Sequence, residues 1–463
     1  MRLQLFRPQD RRPRFTRFNP VARGRIDAQG SAFSTDLSWD PVSGIAGRRP
    51  AFDLDANAGP ELIDRVSGQN LTTFTRAASA NWFDGDGVLL TAGPNTMRRQ
   101  WYPLVQRWGW LIEEARTNSL RNNSLAGGVA GDPGTMPTHW NRGTPAGLNH
   151  QILAISTVNG MPCMDIRVHG TTTAAISAAN IARPDGNTTA AALSGQVWTA
   201  SWFVALLAGS TAGLTVMEMC VEEFGSGGTY LAGSYFDLRS TINSTLTRRT
   251  VSRTLNQATT AFTMTRLLMT APINTAIDFT LRIALPQLEL GNGATSPIIT
   301  TGSAAARDAD VWTVSGANFS SWFNPSQGTL YCDYTPGNPL FHGVFGFDDG
   351  TANERMRLGH SGGSGMATVI VDNNVVQANL TTPANSAVIG SRVRAASVYD
   401  TNYSNVWSNG AVSVAPDTSV TLPAVTRVTL GSAQSVNPCN GPIHRLAYLP
   451  VRLSDAAALA LTQ

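Results

Sequence analysis

Apolar and polar residues alternate with a period of two along most of the chain, and apolar spacing of the helical kind is confined to the extreme C-terminus. Candidate strands fall at 196–207 (QVWTASWFVALL), 214–223, 230–238, 261–268 and 278–290, separated by clusters of Gly, Ser, Thr and Asn. Five strands at that cadence predict a sandwich. A second series covers 328–334, 341–347, 354–359, 367–372, 386–399, 405–408, 411–414, 427–431 and 441–450. Asn409-Gly410, between Trp407 and Val412, predicts a two-residue hairpin turn, and Asp84-Gly85 with Asp86-Gly87 ahead of Val88 predicts another hairpin near the start. Ser454 is placed as the N-cap of a short Ala/Leu helix that closes the chain.

These elements divide the 463 residues. Residues 1–50 hold Pro8, Pro13, Pro20, Pro41 and Pro50 among Arg and Gly, which predicts an extended arm. A small β-rich module is expected at 51–118, a sandwich at 119–300 and a second sandwich at 307–463, with the Thr/Gly/Ser/Ala stretch 300–306 as a linker. The fold class is mainly β: an N-terminal extended arm, then a small β module and two β-sandwich domains.

Composition supports this division and adds an asymmetry. Charged residues are 14% of the chain against 43 Gly and 25 Pro, a balance that suits strands and turns over long helices. All 34 basic residues are Arg. Residues 1–50 carry ten Arg and four Asp, a net of +6, which leaves −3 for the rest of a chain whose total is +3. A basic arm of this kind is expected to anchor on an acidic surface, and no nucleic-acid motif follows it. Cys163, Cys220, Cys332 and Cys439 are far apart with no CxxC pair, so free buried thiols are expected and a metal site is not. No apolar run reaches the ~20 residues that span a bilayer, and MRLQLFRPQDRRPRF lacks the apolar core of a signal peptide. Membrane insertion and secretion are therefore not expected.

Three stretches carry a resemblance. WGWLIEEARTN at 108–118, preceded by FTRAA and DGDGVL, resembles the recurring module of bacteriophage tail-fibre and minor tail proteins over roughly 65 residues. LPQLELGNGATSPIITTGSAAARDADV at 285–311 is similar to the segment that closes a jelly-roll, carbohydrate-binding-module-like domain in such proteins, although Pro297 and Ile298 replace the usual Tyr and Pro positions. NPSQGTLYCDYTP at 324–336 and GPIHRLAYLPVRLSDAAALAL at 441–461 look like the first and last elements of a concanavalin A-like or laminin-G-like sandwich. Together these cover about 51–463. The resemblance implies a receptor-binding fibre or spike on a virion assembled in the bacterial cytoplasm, with host polysaccharide and other virion proteins as partners and a homotrimer as its state.

Candidate chemistry agrees with binding better than with catalysis. A glycosidase sets two carboxylates roughly 5–10 Å apart across a sugar. Glu222 and Glu223, or Asp348 and Asp349, are adjacent and point to opposite faces of a regular strand. The histidines show no HExxH spacing, no GxSxG is present, and His444 in HRLAY reads as a core or interface histidine. No catalytic residue, metal or cofactor is expected.

Sugars need an aromatic platform beside polar groups, and two loops of the last sandwich have that composition. They supply Asp348, Asp349, Asn353 and Arg355 from one loop and Tyr399, Asn402, Tyr403 and Trp407 from the other. The same residues also read structurally, Trp407 as a hairpin aromatic and Asp348 and Asn353 as turn formers. Trp198 and Trp202, four apart on one strand face, and Trp108 and Trp110 are expected in cores. In the arm, Arg11, Arg12, Arg14 and Arg17 with Phe6, Phe15 and Phe18 are the expected virion-anchoring residues. The expected function is non-catalytic attachment to host polysaccharide. The alternatives are a structural head or tail decoration or adaptor protein and a polysaccharide depolymerase.

Overall fold

The structure is a computed structural model that describes residues 48–434 and 436–463. Phe6, Arg11, Arg12, Arg14, Phe15, Arg17 and Phe18 lie outside the described residues. Antiparallel strands dominate, and the mainly β fold class holds.

The C-terminal sandwich has one sheet in the order Ala411–Val412, Tyr403–Ser408, Val393–Asp400, Gln327–Tyr334, Gly441–Leu449, Arg107–Ile112, Arg99–Tyr102, with Phe52–Asp55 also paired to Gly441–Leu449. The facing sheet runs Thr73–Thr75, Val311–Ser315, Arg427–Leu430, His342–Asp348, Arg355–His360, Met366–Asp372, Val375–Thr381. Period-two alternation sends Leu330, Cys332 and Tyr334 into the core between the sheets, against Phe345 and Phe347. The opposite face of the same strand is also covered, because Tyr331, Val398, Trp407 and Leu449 pack under the closing helix Asp455–Thr462 through Ala458 and Leu461. That helix is capped as expected, with the Ala457 N–H donating to Ser454 Oγ at 3.3 Å. Ser454→Ala is expected to lower stability by about 1 kcal/mol, measurable by denaturant unfolding.

Residues 51–118 are not the separate module that local alternation suggests. Phe52, Leu54, Trp110 and Ile112 belong to the core of the C-terminal sandwich. Their strands pair with partners remote in sequence, with Phe52 opposite Tyr448, Ile112 opposite Gly441 and Phe74 opposite Trp312. Asp53, on the other face of its strand, takes Arg445 through two hydrogen bonds of 2.8 Å. The physical reason is burial: strands of three to six residues carry too little apolar surface to close a core of their own. The hairpin foreseen at Asp84–Gly87 is present, and Asp84 Oδ1 accepts the N–H groups of Asp86 and Val88.

The jelly roll is inserted into this sandwich. Its first sheet runs Thr247–Thr254, Val197–Ser210, Ala276–Leu290, Met161–Thr171, Leu148–Val158, and its second Ile176–Ala182, Leu267–Ala271, Val216–Phe224, Phe262–Met264, Ala190–Ala191, with Tyr230–Asp237 on the other edge of Val216–Phe224. Trp198 and Trp202 lie in its core, as their shared face implies. The expected linker at 300–306 is instead tied down. Ala305–Arg307 pairs with Arg116–Asn118, and the Thr300 N–H donates to Asn123 Oδ1 at 2.7 Å. All four cysteines are buried free thiols.

Where insertion and host meet, charges are buried. Arg98 donates to Glu113 Oε2 at 2.7 Å and to Asp310 Oδ2 at 2.5 Å, Arg76 donates to Asp310 Oδ1 at 3.0 Å, and Arg307 is 3.1 Å from Glu113. Ser296 adds its N–H and O–H to the Glu113 carboxylate, each at 2.7 Å. Burial pushes the Glu113 carboxyl upward, but Arg307, Arg98 and the Ser296 hydrogen bonds outweigh it and hold the group down to about 2. Arg76 of FTRAA, Glu113 of WGWLIEEARTN, and Ser296, Arg307 and Asp310 of the 285–311 stretch thus meet in one network.

Candidate functional site

In the strand Val216–Phe224, Met217, Met219 and Val221 enter the jelly-roll core, which turns Glu218, Cys220 and Glu222 to the outer face of the sheet. The edge strand Tyr230–Asp237 places Tyr235 opposite Cys220 and Gly233 opposite Glu222. Gly233 is what seats the tyrosine. A Cβ there would lie 2.7 Å from Tyr235 Oη and 2.8 Å from its Cζ, so the phenol end of the ring rests on the glycine along its own strand. The ring is thereby supported by the sheet while Tyr235 stays 40% exposed, and Tyr230 beside it is 50% exposed.

Polar groups fix this arrangement. The two tyrosine hydroxyls are 3.0 Å apart, and Tyr235 donates to Glu222 Oε1 at 3.0 Å. Arg266 grips the same carboxylate through two hydrogen bonds of 3.0 and 2.8 Å and donates to Asn180 Oδ1 at 2.9 Å. Burial, then the Tyr230 hydroxyl and Glu222, push the Tyr235 phenol well above its ordinary range, so it stays a protonated donor. Ala182 pairs with Leu267, which puts Arg183 in register beside Arg266 on this face. Arg183 enters no ion pair among the described residues, and its Nε is buried without a hydrogen-bond partner.

An exposed tyrosine ringed by amide, hydroxyl and guanidinium groups is suited to the C–H face and hydroxyls of a pyranose. Glu222 and Glu223 do point to opposite faces. Glu223 is bound inward by Arg253 at 2.5 Å and by Thr260 at 2.6 Å, while Glu222 is held outward by Arg266 and Tyr235.

The residues expected to bind sugar lie on two turns of the C-terminal sandwich, Asp348–Arg355 and Tyr399–Tyr403, with Trp407 at the far end of its strand, and several are internal. Trp407 is 1% exposed under the closing helix, because strand period sends it to the face that helix covers. Tyr399 is buried too, its hydroxyl 2.8 Å from that of Tyr448. Asp348 is buried, receiving Arg427 Nε at 2.5 Å and the Gly350 N–H at 2.7 Å. Burial thus removes these three from a sugar platform, and Trp407 and Asp348 take the structural roles that were their alternative reading. Asp349 and Asn353 shape an exposed turn around Thr351, and Arg355 is half-buried on the strand that leaves it. Asn402 sits at the tip of the next turn at φ 62, where its N–H donates to Val420 O. Tyr403 donates to Asp455 and lies under the Arg452 guanidinium at 3.4 Å. His444 is a satisfied core histidine between Trp108 O and Thr335 Oγ1.

The tyrosine face was missed in the sequence because its members come from three separated strands and from Arg183 and Arg266 outside them. The local signal was Gly233 two residues before Tyr235, a spacing that puts both on one face.

No protein-family model matches the chain, and no curated protein does. Among solved structures it is similar to the CBM40 of Ruminococcus gnavus IT-sialidase bound to α2,3 sialyllactose, with 18% identity over 31% of this chain and 86% of that one and a TM-score of 0.28. The same module bound to α2,6 sialyllactose gives 20%, 32%, 88% and 0.28. A SAP-like pentraxin from Limulus polyphemus gives 12%, 30%, 70% and 0.23. The first two of these neighbours are carbohydrate-binding jelly-roll modules of a sialidase.

Proposed function

We infer that the chain is a virion-associated fibre or spike protein that holds a phage or phage-like particle on host surface polysaccharide without a chemical step, and that the sugar docks on the Tyr230–Tyr235 face. The observation that carries the reading is Tyr235 seated over Gly233 with the residue 40% exposed beside the half-exposed Tyr230. The tail-fibre resemblance across 51–463 supports the setting, and the basic segment 1–50 supplies the virion anchor. A single shallow face binds sugar weakly, so a homotrimer displayed in many copies raises the avidity.

Glycan-array binding by the full chain, paired with competition against particle adsorption, tests this reading. Saturable glycan binding that also blocks adsorption is expected. Gly233→Val, which pushes the ring off its seat, is expected to weaken both while circular dichroism stays unchanged. Retention solely by particles that lack the protein would favour a structural adaptor, and release of reducing ends from host polysaccharide would favour a depolymerase.

A further inference from the structure

We propose that the cleft between the jelly roll and the C-terminal sandwich is a second ligand site, separate from the tyrosine face, that takes a small organic monocarboxylate with an apolar body. The cleft has a volume of about 430 Å³, within the span of small-molecule sites. Phe83 of the early hairpin, Phe203 and Pro297 of the jelly roll, and Tyr102, Leu104 and Pro442 of the sandwich wall it. Phe83 and Phe203 are held 5.6 Å apart, and Leu104, 93% exposed, stands at the rim.

Charge identifies the missing partner. Four guanidinium groups at the junction, Arg76, Arg98, Arg248 and Arg307, share three carboxylates, Glu113, Glu289 and Asp310. Glu113 and Asp310 are occupied by Arg76, Arg98 and Arg307, and Glu289 accepts from the Thr295 N–H at 3.0 Å and the Thr295 hydroxyl at 2.5 Å. Arg248 touches no carboxylate, its attraction to Glu289 and Glu113 acting from beyond contact, and it lines the cleft. It donates to Ser201 Oγ at 2.8 Å and lies 5.6 Å from the Phe203 ring centre, but its Nε is buried without a partner and it enters no ion pair among the described residues. A half-buried guanidinium with no carboxylate in contact gains charge-assisted hydrogen bonds when a bound carboxylate reaches it. Tyr102, whose hydroxyl makes no hydrogen bond among the described residues, lines the same cleft. One negative charge balances the junction, and the aromatic and proline walls select an apolar body over a sugar.

The test is calorimetric titration of the full chain with 4-phenylbutyrate and with its neutral amide. Saturable binding of the acid, at least about tenfold tighter than the amide, is expected. Arg248→Gln is expected to abolish that preference and Arg248→Lys to keep part of it. Should Arg248→Gln fail to fold, Leu104→Asp at the exposed rim provides a second variant, expected to weaken the acid and spare the amide. Equal binding of acid and amide, or no saturation up to roughly 10 mM, overturns the proposal. Tyr235→Ala is expected to leave the titration unchanged, so failure here and failure of the glycan reading are told apart.

Discussion

Asp310→Ala is expected to lower the unfolding free energy by about 3–5 kcal/mol, the cost typical of removing one partner from a buried ion pair. Asp310 is the shared acceptor of Arg76 and Arg98 and also receives the Glu113 N–H at 2.9 Å, so its loss leaves Arg76 without a counter-charge and Arg98 sharing Glu113 with Arg307 in a buried junction. Denaturant unfolding followed by tryptophan fluorescence measures the effect, and a loss under about 1 kcal/mol would show that water reaches the network. The same junction gives stability a pH dependence of definite sign. Glu113 is held down to about 2 in the fold, so its contribution is complete above the ordinary carboxylate value and is lost as pH falls through about 2. His342, stacked 4.9 Å from His360, is pushed down to about 3 by burial and then by that neighbour. Its contribution has the same direction: complete above its ordinary value near 6.5, then declining as pH falls toward 3. Acid titration of the unfolding free energy is expected to slope downward from about pH 6.5 to 2.

Tyr235→Ala is expected to weaken glycan binding at least tenfold, about 1.5–3 kcal/mol, while thermal stability changes little. The side chain is 40% exposed, so truncating it empties no core, yet it removes the flat surface on which a pyranose would lie. Tyr235→Phe separates the contributions. It keeps the ring over Gly233 and deletes the hydroxyl that joins Tyr230 to Glu222. Binding by the Phe variant is expected near the parent value. If Phe loses as much as Ala, hydrogen bonding rather than stacking holds the sugar, and if neither loses affinity the sugar binds elsewhere.

Local chemistry was legible in the sequence, and long-range pairing was not. The Asp84–Gly87 and Asn409-Gly410 turns, the Ser454 cap and the shared face of Trp198 and Trp202 each depend on neighbours a few residues away. The hairpin Leu148–Val158 with Met161–Thr171 was equally readable, since Asn159 and Gly160 at φ 49 and 75 form its turn, but it was overlooked. By contrast, Phe52–Asp55 announces a strand without revealing that its partner is nearly four hundred residues away. Loop composition also misled. Aromatic and acidic residues near turns suggested a surface site, but Trp407 lies under a helix that follows later in the chain, and Asp348 is held by Arg427 from another strand. The tyrosine face and the cleft each require strands that fold together before their residues meet, so no window of sequence contains either.

Asn118 and Ala305 face each other across a strand pair, so the whole jelly roll departs from its host and returns at positions ~5 Å apart. A guest with ends that close can be spliced in without stretching the handle that carries it. Under the fibre reading proposed above, host range becomes a property of an exchangeable head, with one condition on any replacement: it must bring donors to the place where Ser296 meets Glu113, or it leaves that carboxylate half-satisfied in a buried seam.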